Sequence, residues 1–536
     1  MERAAGTDAA LIPDPNVQHG KPRTCLVVGA GVAGLQAARH LQRIGYQVLI
    51  LEASKDIGGV WASNYVGYGI QVPWRTYQFP DFLWPEELRP LSDYPTGQQV
   101  QQYIRAYAEH FGLMRHIRLN SKVLRLRWHP GSCKWEAVYC DSAREKFYKV
   151  RVDYAVICTG MYSSPFIPRY TGADAFAGKQ LHAKDFVDMS IVRGRRVLIV
   201  GAGKTALDCV CSLVASRTAA SVTMLYRQAH WPMPRSILGI GIRSLLFNRA
   251  TPAMLPPYYT AGRGSRALDV VAQPLKRLFW KTMQGFVGCK FRITKEMRPR
   301  VGLPADLFYG GQVLEDSYTR FLSSDGFTSL RGEINSFVRN GVILQDGNFL
   351  PADVVLFCTG YEKTYEYFDG DIRSRLGLQK DGLYLYRNCI PPGVPHLAFV
   401  GSEVSTYSNI LTHGLQALWL SHVLSGRVTL PCPAEMAADV RAQQHWRRQV
   451  MPAQRGRGAV LMLYGMQYHD QLLRDMGAQP RRKGVNLLAE CFGSYSAVDY
   501  SPLMPQDGPD AELEAAWTAS QPSKSQWSHL ARMLAD

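Results

Sequence analysis

Thr24-Cys25-Leu26-Val27-Val28-Gly29-Ala30-Gly31-Val32-Ala33-Gly34 is an apolar run that enters a G-x-G-x-x-G turn. Cys25 to Val28 reads as a buried parallel strand, and a helix is predicted through Leu35 to Ile44, stopped by Gly45. A second strand, Gln47 to Leu51, ends at Glu52. Each part has a physical duty. Gly29 allows the tight turn, Gly31 lets a pyrophosphate approach the backbone, and Gly34 lets helix and strand pack closely. The helix N-terminus offers free amide N–H groups and the positive end of its dipole to phosphate. Glu52 stands where an acidic side chain accepts hydrogen bonds from a ribose 2′-OH. Strand, turn, helix, strand and acid in register mark a dinucleotide-binding unit rather than a glycine-rich turn without a ligand.

A second such unit opens at Arg196-Val197-Leu198-Ile199-Val200 and turns through Gly201-Ala202-Gly203-Lys204-Thr205-Ala206. Its helix is expected to reach Ala215, and the strand Val222 to Tyr226 ends at Arg227. Ala206 replaces the third glycine with a small residue that the fingerprint accepts. Arg227 stands where a 2′-phosphate needs a cation, which favours NADPH over NADH. Gly203-Lys204-Thr205 is not a P-loop, because Leu198 occupies a position that motif requires as glycine.

Outward from these two turns, 536 residues exceed what one core supports, so two or three domains are expected. Hydrophobic content of 46% with 20% charged residues is ordinary for a globular protein. The net charge of +17 suits an anionic cofactor or an anionic membrane surface, and equally a solvated basic surface. Nucleic acid fits poorly, since the basic residues are spread along the chain without a binding module. The 11 cysteines are mostly single and inside apolar runs (Cys25, Cys158, Cys358), a pattern of reduced thiols. No C-x-x-C redox pair and no metal-ligand spacing appears. Met1 to Arg23 lacks the apolar core of a signal peptide, and no apolar run is long enough to span a bilayer. The expectation is a soluble cytoplasmic protein, with peripheral membrane contact left open.

The chain divides as follows. Residues 1–22 read as a disordered lead-in. Residues 23–185 hold the first unit, with a helix at 97–111 and an antiparallel meander over Val123 to Trp128, Trp135 to Tyr139 and Phe147 to Val152. The first unit closes on a buried strand, Tyr154 to Cys158, that runs into Thr159-Gly160. Residues 186–345 hold the second unit, with a poorly legible insertion at 236–310. There Leu275, Leu278, Phe279 and Trp280 alternate irregularly with Lys276, Arg277 and Lys281. A surface-packed insertion is the favoured reading and a membrane-surface contact the sharper one, since no clean helical stripe is visible. Residues 346–430 return to the first unit through Asp353 to Cys358, Thr359-Gly360, the strand His396 to Val400 ending at Gly401, and a helix from Leu411 to Leu424. Residues 431–536 read as a polar extension, partly of low order, with a candidate helix at Asp510 to Thr518. The architecture is α/β: two interleaved, doubly wound Rossmann-like nucleotide-binding domains, the second inserted in the first.

Between the units lies Phe176-Ala177-Gly178-Lys179-Gln180-Leu181-His182-Ala183-Lys184-Asp185-Phe186, which in isolation reads as a loop. This F-x-G-x-x-x-H-x-x-x-F pattern, flanked by two Rossmann turns, resembles the identifying sequence of the flavin-containing monooxygenases. The resemblance spans residues 24 to 430. It includes Gly58-Gly59-Val60-Trp61, Phe79-Pro80-Asp81-Phe82, Thr359-Gly360 and Gln416-Ala417-Leu418-Trp419.

The resemblance implies FAD on the first unit and NADPH on the second. Gly29, Gly31, Val32, Ala33, Gly34 and Glu52 would hold the ADP half of FAD, with Val60 and Trp61 on the flavin side. Val123, Thr159, Gly160, Gly360 and Gly401 join the cofactor-binding set on the same ground. Gly201, Gly203, Lys204, Thr205 and Arg227 would hold NADPH. His182 belongs to a linker tied in this family to NADP binding and domain motion rather than to proton transfer. In one departure, the family's asparagine ahead of F-P-D-F is matched here by Gln71 or its neighbours in Gly69-Ile70-Gln71-Val72-Pro73. Gln offers the same amide donor on a longer arm.

The implied chemistry belongs to the flavin: NADPH reduces it, O2 adds at C4a, and the peroxyflavin oxygenates a small nucleophile. A nitrogen or sulfur substrate ranks first, because Phe186 ends the linker pattern where Baeyer-Villiger enzymes carry Trp. Carbonyl oxygenation ranks second. A non-enzymatic FAD-binding regulator remains open, whereas a disulfide reductase lacks its cysteine pair.

Overall fold

The computed structural model describes residues 23–505, apart from 238–239, 242–243, 245–246, 294, 296, 310–311, 315–324, 406–407, 463 and 485. The lead-in at 1–22 and the helix expected at Asp510 to Thr518 lie outside the described residues.

Apolar runs in a parallel sheet are buried on both faces, and the two fingerprint strands obey this. In the first sheet, β1 (Thr24–Val28) lies between β2 (Gln47–Leu51) and β4 (Tyr154–Ile157), with β3 (Ile117–Arg118) and β10 (Leu397–Phe399) at the edges. In the second, β6 (Arg196–Val200) lies between β7 (Ser221–Tyr226) and β9 (Val354–Phe357), flanked by β8 (Phe327–Arg331) and β5 (Lys179–His182). All pairings in both sheets are parallel. Each fingerprint strand is followed by its helix, α1 (Val32–Arg43) or α3 (Lys204–Ser216). The meander is present as Ser121–His129, Lys134–Asp141 and Lys146–Val152.

Four expectations are corrected. The linker pattern is not all loop: Lys179 to His182 pair in register with Val354 to Phe357 as an edge strand of the second sheet. Lys179-Gln180-Leu181-His182 has no β-branched or alternating signal, so only the partner backbone reveals it. For the same reason the division at 345/346 fails, since β9 belongs to the second sheet and not the first. Residues 431–505 are no low-order tail. They supply α6 (Pro433–Val450) and α7 (Gly465–Asp475), whose Tyr468 and Leu472 are wholly buried in the first core. The neighbouring Tyr464 is wholly buried in the second core. Finally, the insertion contains α4 (Arg263–Lys290), a 28-residue helix that runs through Pro274. A proline inside a helix and scattered basic residues masked it in the sequence.

In the first unit, α1 is sandwiched between its sheet and α5 (Asn409–Leu424), and every residue from Ala33 to Leu41 is buried. The F-P-D-F segment is fixed by α2 (Gly97–His110), where Phe79 stacks on Tyr107 at 3.8 Å and its amide donates to the Tyr103 hydroxyl at 2.8 Å.

Candidate functional site

The order β10-β4-β1-β2 brings the C-terminal ends of four parallel strands together, so Gly401, Thr159-Gly160, Gly29 and Glu52 surround one turn. Gly29 has φ +106°, and a Cβ there would lie 2.6 Å from the Cys158 carbonyl oxygen. At Gly34 a Cβ would lie 1.9 Å from the Gly29 oxygen. Both glycines are therefore required by the turn itself. Gly31 differs: a Cβ would meet nothing nearer than Gly59 Cα at 3.8 Å. Protein packing does not require glycine there, whereas close approach of a ligand to the backbone would. Gly31 caps α1 without a side-chain acceptor, so no cap side chain competes for the amides of Val32, Ala33 and Gly34.

Glu52 is buried, and its two carboxylate oxygens accept the Ala30 amide at 2.7 Å and the Ser54 amide at 2.8 Å. Those bonds aim the carboxylate across the mouth of the turn and leave lone pairs for a ribose hydroxyl. Gly58 donates to the Ala30 carbonyl at 2.8 Å, which folds Gly59, Val60 and Trp61 over the turn as a single 3-10 turn. The Trp61 indole donates to the Tyr77 hydroxyl at 2.8 Å. Val123 is buried behind the sheet beside Val28 and Leu51, a wall rather than a polar contact. Gln71 is half-buried in irregular chain next to Gly69, which bridges to Thr96.

The second turn repeats the first. Gly201 has φ +131°, and its Cβ would lie 2.5 Å from the Cys358 carbonyl oxygen, as Gly29 sits on Cys158. Around Gly203, among the described residues, nothing lies within 4 Å of an added Cβ. Arg227 follows β7 and is exposed. Lys204, one of the residues expected to hold the nucleotide, pairs with Asp208 one helical turn on. The Tyr65 hydroxyl, reaching over from the first unit, donates to the same carboxylate at 2.9 Å and also bonds Thr205.

His182 is buried at the end of β5. Its Nδ1 accepts the Lys184 amide at 3.2 Å, which leaves the Nε2 proton to donate to the Gly360 carbonyl at 3.0 Å. Burial lowers its pKa, so the neutral ring pins the second Thr-Gly turn and both nitrogens are used.

Sequence reasoning missed a buried polar group behind Gly401. A Cβ on Gly401 would lie 2.7 Å from Ala33 Cβ and 3.1 Å from His413 Cε1, so this turn presses α1 against α5. His413 Nε2 lies 3.5 Å from Glu403 Oε1, and Lys363 donates to the Ser402 carbonyl at 2.5 Å. Burial pushes Glu403 up, and burial and then Lys363 lower His413 to about 3. Burial also lowers Lys363, so all three shifts favour the neutral form. The one available signal was an acid directly after an apolar strand and glycine, Phe399-Val400-Gly401-Ser402-Glu403. Gln416 of the Q-A-L-W motif accepts the Gly401 amide at 2.9 Å and donates to Tyr468 of α7 at 2.8 Å, so the C-terminal helices also hold this turn.

The flavin-binding monooxygenase-like family model matches residues 22–259 and 309–492. A probable flavin-containing monooxygenase 1 from Arabidopsis thaliana is 26% identical over 88% of this chain and 95% of its own. Flavin-containing monooxygenase 3 from Homo sapiens is 25% identical over 85% and 82%. Among solved structures, S-allyl-L-cysteine S-oxygenase from Allium sativum superposes with a TM-score of 0.59 at 20% identity, covering 92% of this chain and 97% of its own. Cyclohexanone monooxygenase from Rhodococcus sp. Phi1, bound to NADP+, gives 0.64 at 17% identity, covering 85% and 98%. These two likenesses speak to the fold.

Proposed function

Because the chain belongs to the flavin-binding monooxygenase-like family and is an FAD- and NADPH-dependent monooxygenase, we propose that it oxygenates small nitrogen- or sulfur-containing nucleophiles. The observation that carries the assignment of the two turns is the contrast at Gly31 and Gly203. Both positions have room for a side chain and neither carries one, whereas Gly29, Gly34 and Gly201 are fixed by packing. Bound FAD, reduced by NADPH, supplies the activation of O2.

The residues present fit that pair of cofactors. The amides of Val32, Ala33 and Gly34 would take the FAD pyrophosphate and Glu52 its ribose, while Val60, Trp61, Thr159, Gly160 and Gly401 would close around the flavin half. Gly201, Gly203 and Thr205 would seat NADPH, with Arg227 on its 2′-phosphate. His182 would act through Gly360, holding the second Thr-Gly turn at the nucleotide side. Gln71 would offer its amide on the oxygen side of the flavin, so Gln71→Ala should leave flavin reduction intact and raise peroxide release. Phe186 is wholly buried and has no polar hydrogen, which supports ranking carbonyl oxygenation below attack by nitrogen or sulfur. A cytoplasmic site of action is supported by the cysteines, all 11 of which are free thiols.

The test supplies the purified holoprotein with NADPH, O2 and in turn a tertiary amine, a thioether and a cyclic ketone. N-oxide or sulfoxide formed in step with NADPH consumption supports the reading. Lactone as the main product would transfer the assignment to carbonyl oxygenation, and no O2 uptake even with NADPH present would leave a regulator.

A further inference from the structure

The turn at Gly401 is backed by ionisable groups that the placing of the cofactors leaves unused. Glu403, two residues on, is 2% exposed, and among the described residues neither of its carboxyl oxygens has a hydrogen-bond partner. A buried carboxyl held this way is costly to the fold and calls for a cause. Its ionisable neighbours come from separate segments: Lys363 from the chain that follows the second Thr-Gly turn, His413 from α5 and Arg447 from α6. Cys389 and Tyr468 face it as well.

Most of these groups have a fixed charge. Burial and then Lys363 hold His413 neutral, and burial keeps the Cys389 thiol and the Tyr468 phenol protonated. Arg447 is wholly buried, and its guanidinium donates to the Arg457 and Gly458 carbonyls and to Asn388 Oδ1 at 3.1 Å. A guanidinium stays charged. Only Glu403 and Lys363 remain to gain or lose a proton. Burial pushes Glu403 up to about 7 and Lys363 down to about 8. Interacting so closely, they hold their protons as a pair rather than singly.

The pair lies against the turn itself. Lys363 donates to the carbonyl of Ser402, the residue next to Gly401, at 2.5 Å. A Cβ on Gly401 would lie 3.1 Å from His413 Cε1, so no other element separates the turn from the cluster. Hydride transfer from NADPH adds one negative charge to a neutral flavin. In a low-dielectric interior, a new negative charge raises the proton affinity of the groups beside it.

We propose that Lys363 and Glu403 form a shared proton site that takes one further proton from solvent when the flavin of the first unit is reduced. The inference rests on placing FAD at the first turn. The step balances: NADPH gives a hydride to the flavin, water supplies the proton to the pair, and no other oxidant or reductant takes part.

The consequence is read in the flavin midpoint potential. Each proton taken up per two electrons converts a tenfold change in proton activity into about 30 mV. A flavin that takes one proton therefore falls by about 30 mV per pH unit, and one that loads the pair as well falls by about 59 mV. The steeper fall should appear above about pH 8, because at lower pH the pair is already loaded before reduction. The test titrates nucleotide-free, flavin-loaded protein against reference dyes, comparing wild type with Lys363→Met combined with Glu403→Gln, which removes base and acid together. The double variant should keep the shallow slope throughout. A second measurement needs only wild type: protons consumed on photoreduction in weak buffer with an indicator dye, expected to be two per flavin above about pH 8. One proton per flavin with a shallow wild-type slope, or a steep slope that survives in the double variant, overturns the proposal and leaves the placing of FAD standing. Colourless wild-type protein overturns both.

Discussion

The two nucleotide turns are built alike and enclosed differently. In each, the first glycine rests on the carbonyl of the cysteine that precedes its own Thr-Gly pair, Cys158 under Gly29 and Cys358 under Gly201. Around that shared frame the first unit is closed. Gly58 bonds across the turn, Gly401 presses on Ala33, Glu52 is buried, and α1 is covered by α5. The second is open at Gly203, Arg227 is exposed, and of α3 only Ala206, Leu207, Cys209, Val210 and Leu213 are buried. A cofactor enclosed by several elements leaves only when they part, whereas one on an open turn exchanges freely. That difference suits a resident flavin and a nicotinamide cofactor that comes and goes.

The largest expected effect lies at the third position of the fingerprint. Gly34→Ala would drive a methyl into the Gly29 carbonyl, so it should abolish soluble, flavin-loaded protein. Ala206→Gly, at the matching place in the second unit, should cost only about 1 kcal/mol of helix stability. Expression, melting temperature and the ratio of flavin to protein absorbance measure both. If the two substitutions behave alike, the turns are not enclosed differently.

Next comes Gly31→Val. The protein itself has space at this position, so the apoprotein should fold with a near-normal melting temperature and remain colourless. Normal flavin content would place the pyrophosphate elsewhere.

At the open turn, Arg227→Ala should weaken NADPH by on the order of 2 kcal/mol, about 30-fold, and leave NADH nearly unchanged. Dissociation constants from anaerobic titration decide it, and equal losses for both nucleotides would remove Arg227 from the 2′-phosphate.

The smallest effect concerns Lys204. Asp208→Asn should release its ammonium towards the nucleotide phosphates and tighten NADP+ by about three-fold, since the pair is only partly buried. Tyr65→Phe should move affinity in the same direction and less. Weaker binding in both variants would mean that Asp208 holds Lys204 in its working position rather than away from it.

Local sequence specified much of this molecule. Val27-Val28-Gly29-Ala30-Gly31 and Ile199-Val200-Gly201-Ala202-Gly203 set strand, turn and helix because glycine geometry and apolar runs act over a few residues. The same local rules placed Glu52 and Arg227 at strand ends and so distinguished two nucleotide sites. Tertiary structure alone decided what those segments meet. Lys179 to His182 became a strand only because Val354 to Phe357 lay beside it. Tyr65 of the other unit reached the carboxylate of Asp208, and Tyr468 reached Gln416 from beyond the expected core. The reason is physical: backbone propensity is a property of neighbours in sequence, whereas burial and pairing depend on segments far apart along the chain.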